Sequence, residues 1–470
     1  MGGWGVIFWG VEICSAKLRS YFAGKYTLML TAIVVASILI LLLLVLVFRV
    51  NAFVSLLMVS IFVGFATGMP PEDILKSIQN GMGGVLGFVA IVVGLGAIFG
   101  KMLEHSGGAD VLAQTLINRF GISKAPWAMA LTGFVIAIPV FFDVGFIILV
   151  PVIFALSRTT GKSMLTFAIP LLAGLAVAHA FIPPTPGPVA VAEILHADLG
   201  LVILYGILVG LPTAAVAGPV FGKFIGKKIM LHPPALEEVK ENESRDFPSF
   251  AMVFLLILLP LTLILTRTIG LTWFPGTDNQ WLQLIIFLGH PFSALIICTL
   301  AAVYFLGSRR GLGKDELLRL SSDALGPAGL IILITGAGGV FKQILVDSEV
   351  GTALAETMKD WSLSPLLIAF IISAVVRITQ GSATVAMITA AGFMAPLLDL
   401  SGYDETGRAL TVLAIASGST ILSHMNDSGF WLVGKYLNMS EKQTLQSWTV
   451  AETIISLVSI LLVMGISLVV

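Results

Sequence analysis

From Tyr26 to Phe48 the chain carries no charged residue, and comparable charge-free runs recur at Leu199–Gly222, Phe250–Thr266 and Thr453–Val470. About 18 or more apolar residues in a row are long enough to cross a bilayer as a helix. The chain is 57% hydrophobic and only 11% charged, against about 25% charged in an ordinary soluble domain. A soluble fold could not hide that much apolar surface, so an all-α polytopic membrane protein is expected. A net charge of -1 excludes the electrostatics of a nucleic-acid binder. Cys14 and Cys298 are far apart and in apolar contexts, which suggests neither a disulfide framework nor a thiolate metal site.

Charge-free runs place spans near 28–48, 52–69, 84–100, 163–195, 199–222, 250–269, 281–306, 324–342, 409–436 and 447–470. Amphipathic stretches at Glu104–Lys124 and Gln343–Asp360 read as helices lying along the interface. Following the chain from side to side, one face collects Arg49, Lys101, Arg119, Lys124, Arg158, Lys162, Lys223, Lys227, Lys228, Arg309, Arg310, Lys435 and Lys442. The other receives Lys76, Arg267, Lys342, Lys359 and Arg408. The basic-rich face is the expected cytoplasmic one. Residues 1–27 do not fit this order. They are expected to be an N-terminal extension, with Met29 as an alternative start, or an interfacial anchor. Basic residues follow rather than precede the apolar part, which argues against a cleavable signal peptide.

An internal repeat is visible. Gly94, Gly96, Phe99, Leu103 and Ser106 recur as Gly336, Gly338, Phe341, Leu345 and Ser348, an offset of 242 from Gly94 to Gly336. The same offset carries 52–69 onto 294–311 and 199–222 onto 441–464. By the charge count the two copies enter the membrane from opposite sides. The expected organisation is a first inverted repeat over 28–225, a cytoplasmic linker over 226–249 and a second repeat over 250–470. Inverted repeats are the design of many secondary transporters, with substrate bound near the midplane.

Each half also carries two irregularities. The segments 126–157 and 364–397 are too short for two full spans, which need about 40 residues plus a turn. Both read as re-entrant hairpins, with tips at Phe141-Phe142-Asp143-Val144-Gly145-Phe146 and Gln380-Gly381-Ser382-Ala383-Thr384. Pro183-Pro184-Thr185-Pro186-Gly187-Pro188 cannot be regular helix, because proline lacks the amide donor and clashes with the preceding turn. The matching place in the second half holds Ser423-His424-Met425-Asn426-Asp427-Ser428-Gly429. Irregular backbone at membrane depth is tolerated where it is buried in protein or lines a cavity, and a broken helix points free amides at its gap.

Two tips and two discontinuous helices would surround one polar pocket. Asp143, Thr185, Gln380, Ser382, Thr384, His424 and Asn426 are the expected substrate-binding residues, and Asp143, His424 and Asp427 the expected proton carriers. Hydroxyls and amides suit the hydroxyls of a sugar acid, while free amides and a cation suit its carboxylate. Ionisable residues inside a bilayer are functional by default. Each also has a plainer reading as a satisfied structural group, and His179 reads first as packing or capping. Arg377 could draw an anion inward, or serve equally well as an ion pair or a carbonyl clamp.

The two tips, the two proline pairs and the Ser423–Trp431 stretch together resemble the gluconate permease (GntP) family of bacterial gluconate:proton symporters, from about residue 28 to the C-terminus. The resemblance implies re-entrant hairpins, inverted repeats, an elevator-type transporter and a homodimer in the inner (cytoplasmic) membrane. It also implies import of D-gluconate or a relative such as idonate, driven by protons, with no cofactor. One departure stands out. The family reads Pro-Pro-His-Pro-Gly-Pro where this chain has Thr185, so a titratable group is missing from the first break. The alternative within transport is a symporter for another small hydroxy or amino acid such as D-serine. A passive channel is a further reading. An intramembrane enzyme is remote, since neither a His-Glu-x-x-His helix nor a Gly-x-Ser-x-Gly elbow is present.

Overall fold

The computed structural model describes residues 29–30, 32–33, 36–45, 47–234, 247–274, 279–348, 350 and 363–470. The expectations for residues 1–27, for half of the 226–249 linker and for most of Gln343–Asp360 lie outside them. Among the described residues, 9 helices are long and apolar enough to cross a membrane. The runs expected at 28–48 and 52–69 contain shorter apolar helices, α1 (Ala36–Val45) and α2 (Ala52–Ala66).

The first half continues with α3 (Pro71–His105), α4 (Gly108–Phe120), α5 (Ala125–Ile136), α6 (Phe142–Thr160), α7 (Leu165–Phe181), α8 (Pro186–Leu195), α9 (Leu199–Ala215) and α10 (Phe221–Lys228). After α11 (Phe250–Trp273) and α12 (Gln280–Leu288), the second half runs α13 (Pro291–Ala302), α14 (Lys314–Asp347), α15 (Pro365–Gln380), α16 (Ala383–Ser401), α17 (Glu405–Ser419), α18 (Ser428–Tyr436), α19 (Glu441–Thr444) and α20 (Val450–Ile466).

Local chemistry sets the boundaries. Pro71 at the first helical position and Glu72 and Asp73 in the first turn start α3, where a missing amide costs nothing and negative charge meets the helix dipole. The run expected as one span over 281–306 is divided in the structure. His290 is extended and its ring accepts a bond from the Phe292 amide (3.3 Å), and Pro291 opens α13. A residue preceding proline is biased away from helical backbone, so α12 ends at Leu288 instead of continuing. Of the expected interfacial stretches, α4 is amphipathic, burying Gly108, Ala109, Leu112 and Ala113 and exposing Gln114 and Arg119.

The two long helices α3 and α14 lie along one another in opposite directions. Gly81 of α3 abuts Gly339 of α14, Gly94 faces Leu325, and Ser77 Oγ donates to Asp347 (2.5 Å). A Cβ on Gly81 would lie 2.6 Å from the Gly339 carbonyl, so glycine is what lets these long helices touch, as in membrane helix pairs generally.

The same device builds the centre. Gly133 of α5 presses on the Leu171 carbonyl of α7, and Gly174 of α7 on the Ala130 carbonyl of α5. In the second half Gly418 of α17 presses on the Phe370 carbonyl of α15, and Ser373 Oγ donates to the Ile415 carbonyl (2.7 Å). In each half the first arm of a hairpin is therefore packed antiparallel on the first part of a broken helix. Both breaks are real: α7 ends at Phe181 before α8, and α17 ends at Ser419 before α18. Within Leu165–Leu195 the most apolar 18-residue stretch is 94% buried, so this element is core and not lipid-facing.

Candidate functional site

The second hairpin turns at Gly381, which adopts φ +86°. Ser382 then caps α16, its hydroxyl accepting from the Val385 amide (3.4 Å). One turn before the tip, Arg377 is 3% exposed. Its guanidinium donates through Nη1 to the Gly381 carbonyl and through Nη2 to Asp427 Oδ2 (2.6 Å). One cation thus holds the hairpin tip and the helix break together.

Asp427 is the N-cap of α18. Its Oδ1 accepts from the Gly429 amide (3.1 Å), and Ser423 Oγ donates to Oδ2. Ser423 is itself fixed by Trp448 Nε1 (2.7 Å), and its carbonyl accepts from the Thr449 hydroxyl. Trp448 and Thr449 sit in a widened π-type turn, Leu445–Thr449, a local distortion often found at functional sites.

The last carbonyls of α15 have no partner one turn further on, as at any helix end. His424 Nε2 and Asn426 Nδ2 supply it, both donating to the Ile378 carbonyl (2.9 and 3.0 Å), and Asn426 also donates to the Thr379 carbonyl (3.2 Å). The second break is therefore sewn to the second hairpin by side chains expected to touch substrate.

These elements open on a chamber of about 560 Å³. Three helix N-termini reach it: α6 with Phe142 and Asp143, α16 with Ser382 and Thr384, and α18 with Asp427 and Ser428. Gln380, Asn426 and Arg377 complete its polar wall, and Phe141, Ala180 and Trp448 are among its apolar residues. Converging N-termini with a buried guanidinium favour an anion. Arg377 Nε has no hydrogen-bond partner, so the guanidinium retains a donor beyond its two structural bonds.

Of the residues expected from sequence, Asp143, Gln380, Ser382, Thr384, Asn426 and Asp427 line this chamber. Thr185 and His424 are not among its lining residues. Thr185 caps α8, is 5% exposed, and donates its hydroxyl to the Ile182 carbonyl (2.6 Å). It borders a separate void of about 20 Å³ shared with Phe141 and His179, room for about one water. Replacing Thr185 by valine is expected to cost about 1 kcal/mol of stability through the lost hydrogen bond and to leave transport affinity within error. Thermal unfolding and uptake kinetics check this, and a clear loss of affinity would put the hydroxyl in the site.

Among the lining residues that the sequence reading did not single out is one acid. Glu452 lies in the first turn of α20, is 4% exposed, and its Oε1 has no hydrogen-bond partner. The signal was present, because 447–470 is an apolar run that carries one acid.

A bundle of spanning helices whose paired hairpins and broken helices meet at a polar chamber is the architecture of a membrane permease. Solved transporters share the fold. The YdaH transporter of Alcanivorax borkumensis aligns with a TM-score of 0.61 at 16% identity, covering 84% of this chain and 88% of that one. MtrF of Neisseria gonorrhoeae aligns at 0.59 and 15% identity, covering 84% of each. In sequence, the GntP family permease profile matches residues 28–469, and the chain belongs to that family. It is 44% identical over 427 residues to a gluconate permease of Pseudomonas aeruginosa, covering 90% of this chain and 94% of the relative. It is 43% identical over 435 residues to the low-affinity gluconate transporter of Escherichia coli K12 (92% and 96% covered), and 39% identical over 435 residues to the Gnt-II system L-idonate transporter of the same organism (93% and 98%). The chain is a multi-pass inner-membrane transporter.

Proposed function

We propose that this protein imports D-gluconate or a closely related sugar acid by proton symport. The carrying observation is the chamber itself: three helix N-termini and the buried Arg377 beside hydroxyls and amides. Its volume of about 560 Å³ lies within the ~300–1,000 Å³ usual for small-molecule sites. The names of the relatives point to the same substrate class. In this reading Ser382, Thr384 and Gln380 meet the substrate hydroxyls, Arg377 and the α16 and α18 amides meet the carboxylate, and Asp143 faces the bound molecule. Asn426 and His424 hold the second break in place, and Thr185 closes the first.

The halves 28–225 and 250–470 act as inverted repeats joined by the 226–249 linker, a reading supported by the antiparallel α3 and α14. The chamber-bearing hairpins and broken helices would then move as a unit against the remaining helices, in an elevator motion within a homodimer. The role is transport and not catalysis.

Labelled gluconate uptake into vesicles with an imposed inward proton gradient tests the function. Accumulation abolished by an uncoupler is expected, with competition by idonate stronger than by D-serine. Uptake that is indifferent to the uncoupler, or preferential competition by D-serine, would overturn it. Ser382→Ala and Thr384→Ala are each expected to weaken transport affinity by about 5- to 10-fold, the value of one lost hydrogen bond of ~1–1.5 kcal/mol. Unchanged half-saturation in both would remove the α16 N-terminus from the binding site.

A further inference from the structure

The chamber has more acid than base: Asp143, Asp427 and Glu452 face one Arg377 among the described lining residues. An anion entering it with every acid ionised meets repulsion that neither the guanidinium nor the helix N-termini of that site fully offset. Binding of the anion and of a proton are then linked, because each raises the affinity for the other by the same factor. Which acid takes the proton is decided by what already surrounds each one.

Asp427 is engaged on both oxygens, by Arg377, Ser423 and the Gly429 amide. Adding a proton there would break the clamp that joins the hairpin tip to the second break. Asp143 lines the chamber as an exposed residue at the start of α6. Glu452 differs from both. It is 4% exposed and one oxygen is buried without a partner. A buried ionised carboxylate lacking partners is costly, and the neutral acid relieves that cost.

Its neighbours are named easily. Arg377 of α15 and Asp427 at the start of α18 both act on it electrostatically. His179 of α7 and Asp143 of α6 line the same chamber. The segments Leu199–Ala215 of α9 and Ala409–Ser419 of α17, which also pack on α20, contain no charged residue. Glu452 therefore sits where one counter-charge, Arg377, is shared between it, Asp427 and the incoming substrate.

We infer that Glu452 is the residue that carries the coupling proton. The inference rests on the proton-symport reading above and adds the group that performs it. Water on the outer side delivers a proton to the Glu452 carboxylate as the substrate carboxylate takes its place near Arg377. After the chamber opens inward and substrate leaves, Arg377 is again available to the acid, and the proton returns to water on that side. One proton and one anion cross together, with no bond made or broken beyond the O–H.

Two assays on the purified protein in phospholipid vesicles separate this from failure of the underlying function. Vesicles preloaded with unlabelled gluconate should exchange it for labelled gluconate in the wild type; absence of that counterflow would overturn gluconate transport itself. Glu452→Gln keeps the size and neutrality of the protonated acid but cannot release a proton. It is expected to retain counterflow and to lose accumulation driven by a pH gradient, about tenfold per pH unit imposed, together with gluconate-induced proton uptake. Wild-type accumulation, or loss of counterflow along with coupling, would overturn the assignment. Should Glu452→Gln not fold, Glu452→Asp decides: a displaced pH profile for uptake supports the role and an unchanged profile refutes it.

Discussion

Replacing Arg377 by glutamine is expected to abolish gluconate uptake and to destabilise the second half of the protein. The guanidinium is the only Lys or Arg group among the described residues lining the chamber, and its two bonds, to the Gly381 carbonyl and to Asp427, tie α15 to α18. Removing one partner of a buried pair leaves an uncompensated charge and costs about 3–5 kcal/mol, whereas deleting both partners is milder. A loss of that size on the bound state corresponds to at least ~100-fold in uptake. Arg377→Lys should rescue little, because a point ammonium cannot hold a carbonyl and a carboxylate in the same fork. The double change Arg377→Gln with Asp427→Asn should recover thermal stability without recovering transport. Initial uptake rates and unfolding temperatures of the three variants decide the matter. Near-normal uptake by Arg377→Gln would mean that the anion is held elsewhere.

Gly381→Ala should produce the second-largest effect. At φ +86° a residue with a Cβ pays about 1–2 kcal/mol for the left-handed conformation. Here the Cβ would also run into the Asn426 carbonyl and side chain across the gap, pushing the hairpin tip away from the second break. Gly402 separates the two contributions: it has φ +64°, but a Cβ there would meet nothing within 4 Å. Gly402→Ala is expected to show the backbone strain alone, a small loss of unfolding temperature with uptake intact. Gly381→Ala is expected to lose both stability and at least about tenfold in uptake, since a shift of one ångström in a site can cost as much as ~100-fold. Equal behaviour of the two variants would show that the close approach of tip to break is unimportant for transport.

Together these variants examine one structural idea. The second hairpin and second break are joined by short polar contacts through Arg377, His424 and Asn426. The first hairpin meets its broken helix by close packing instead, Gly133 against the Leu171 carbonyl and Gly174 against the Ala130 carbonyl, while the Thr185 hydroxyl bonds within its own turn. The two halves do not share the same chemistry at their centre. Their N-cap residues show it most directly, Thr185 on α8 against Asp427 on α18. Ionisable groups lining the chamber are more numerous in the second half, Arg377, Asp427 and Glu452, against Asp143 and His179 from the first.

The linear sequence by itself determined the class of fold, the places where helices break and the residues at the hairpin tips. Hydropathy, proline chemistry and glycine spacing act over a few neighbours, so they can be read without knowing what packs where. The tertiary structure decided which of the expected polar groups face the chamber and which others join them. His424 read as a substrate contact but lies outside the chamber lining and bonds the Ile378 carbonyl of α15, whereas Asn426 lines the chamber and bonds that carbonyl as well. Thr185 read as a pocket residue until its hydroxyl met the Ile182 carbonyl. Glu452, more than twenty residues beyond the second break, comes to the chamber only because α20 packs on α17 and α7. A buried polar group is defined by the partner it finds, and partners distant in sequence are brought together by packing that no local pattern records.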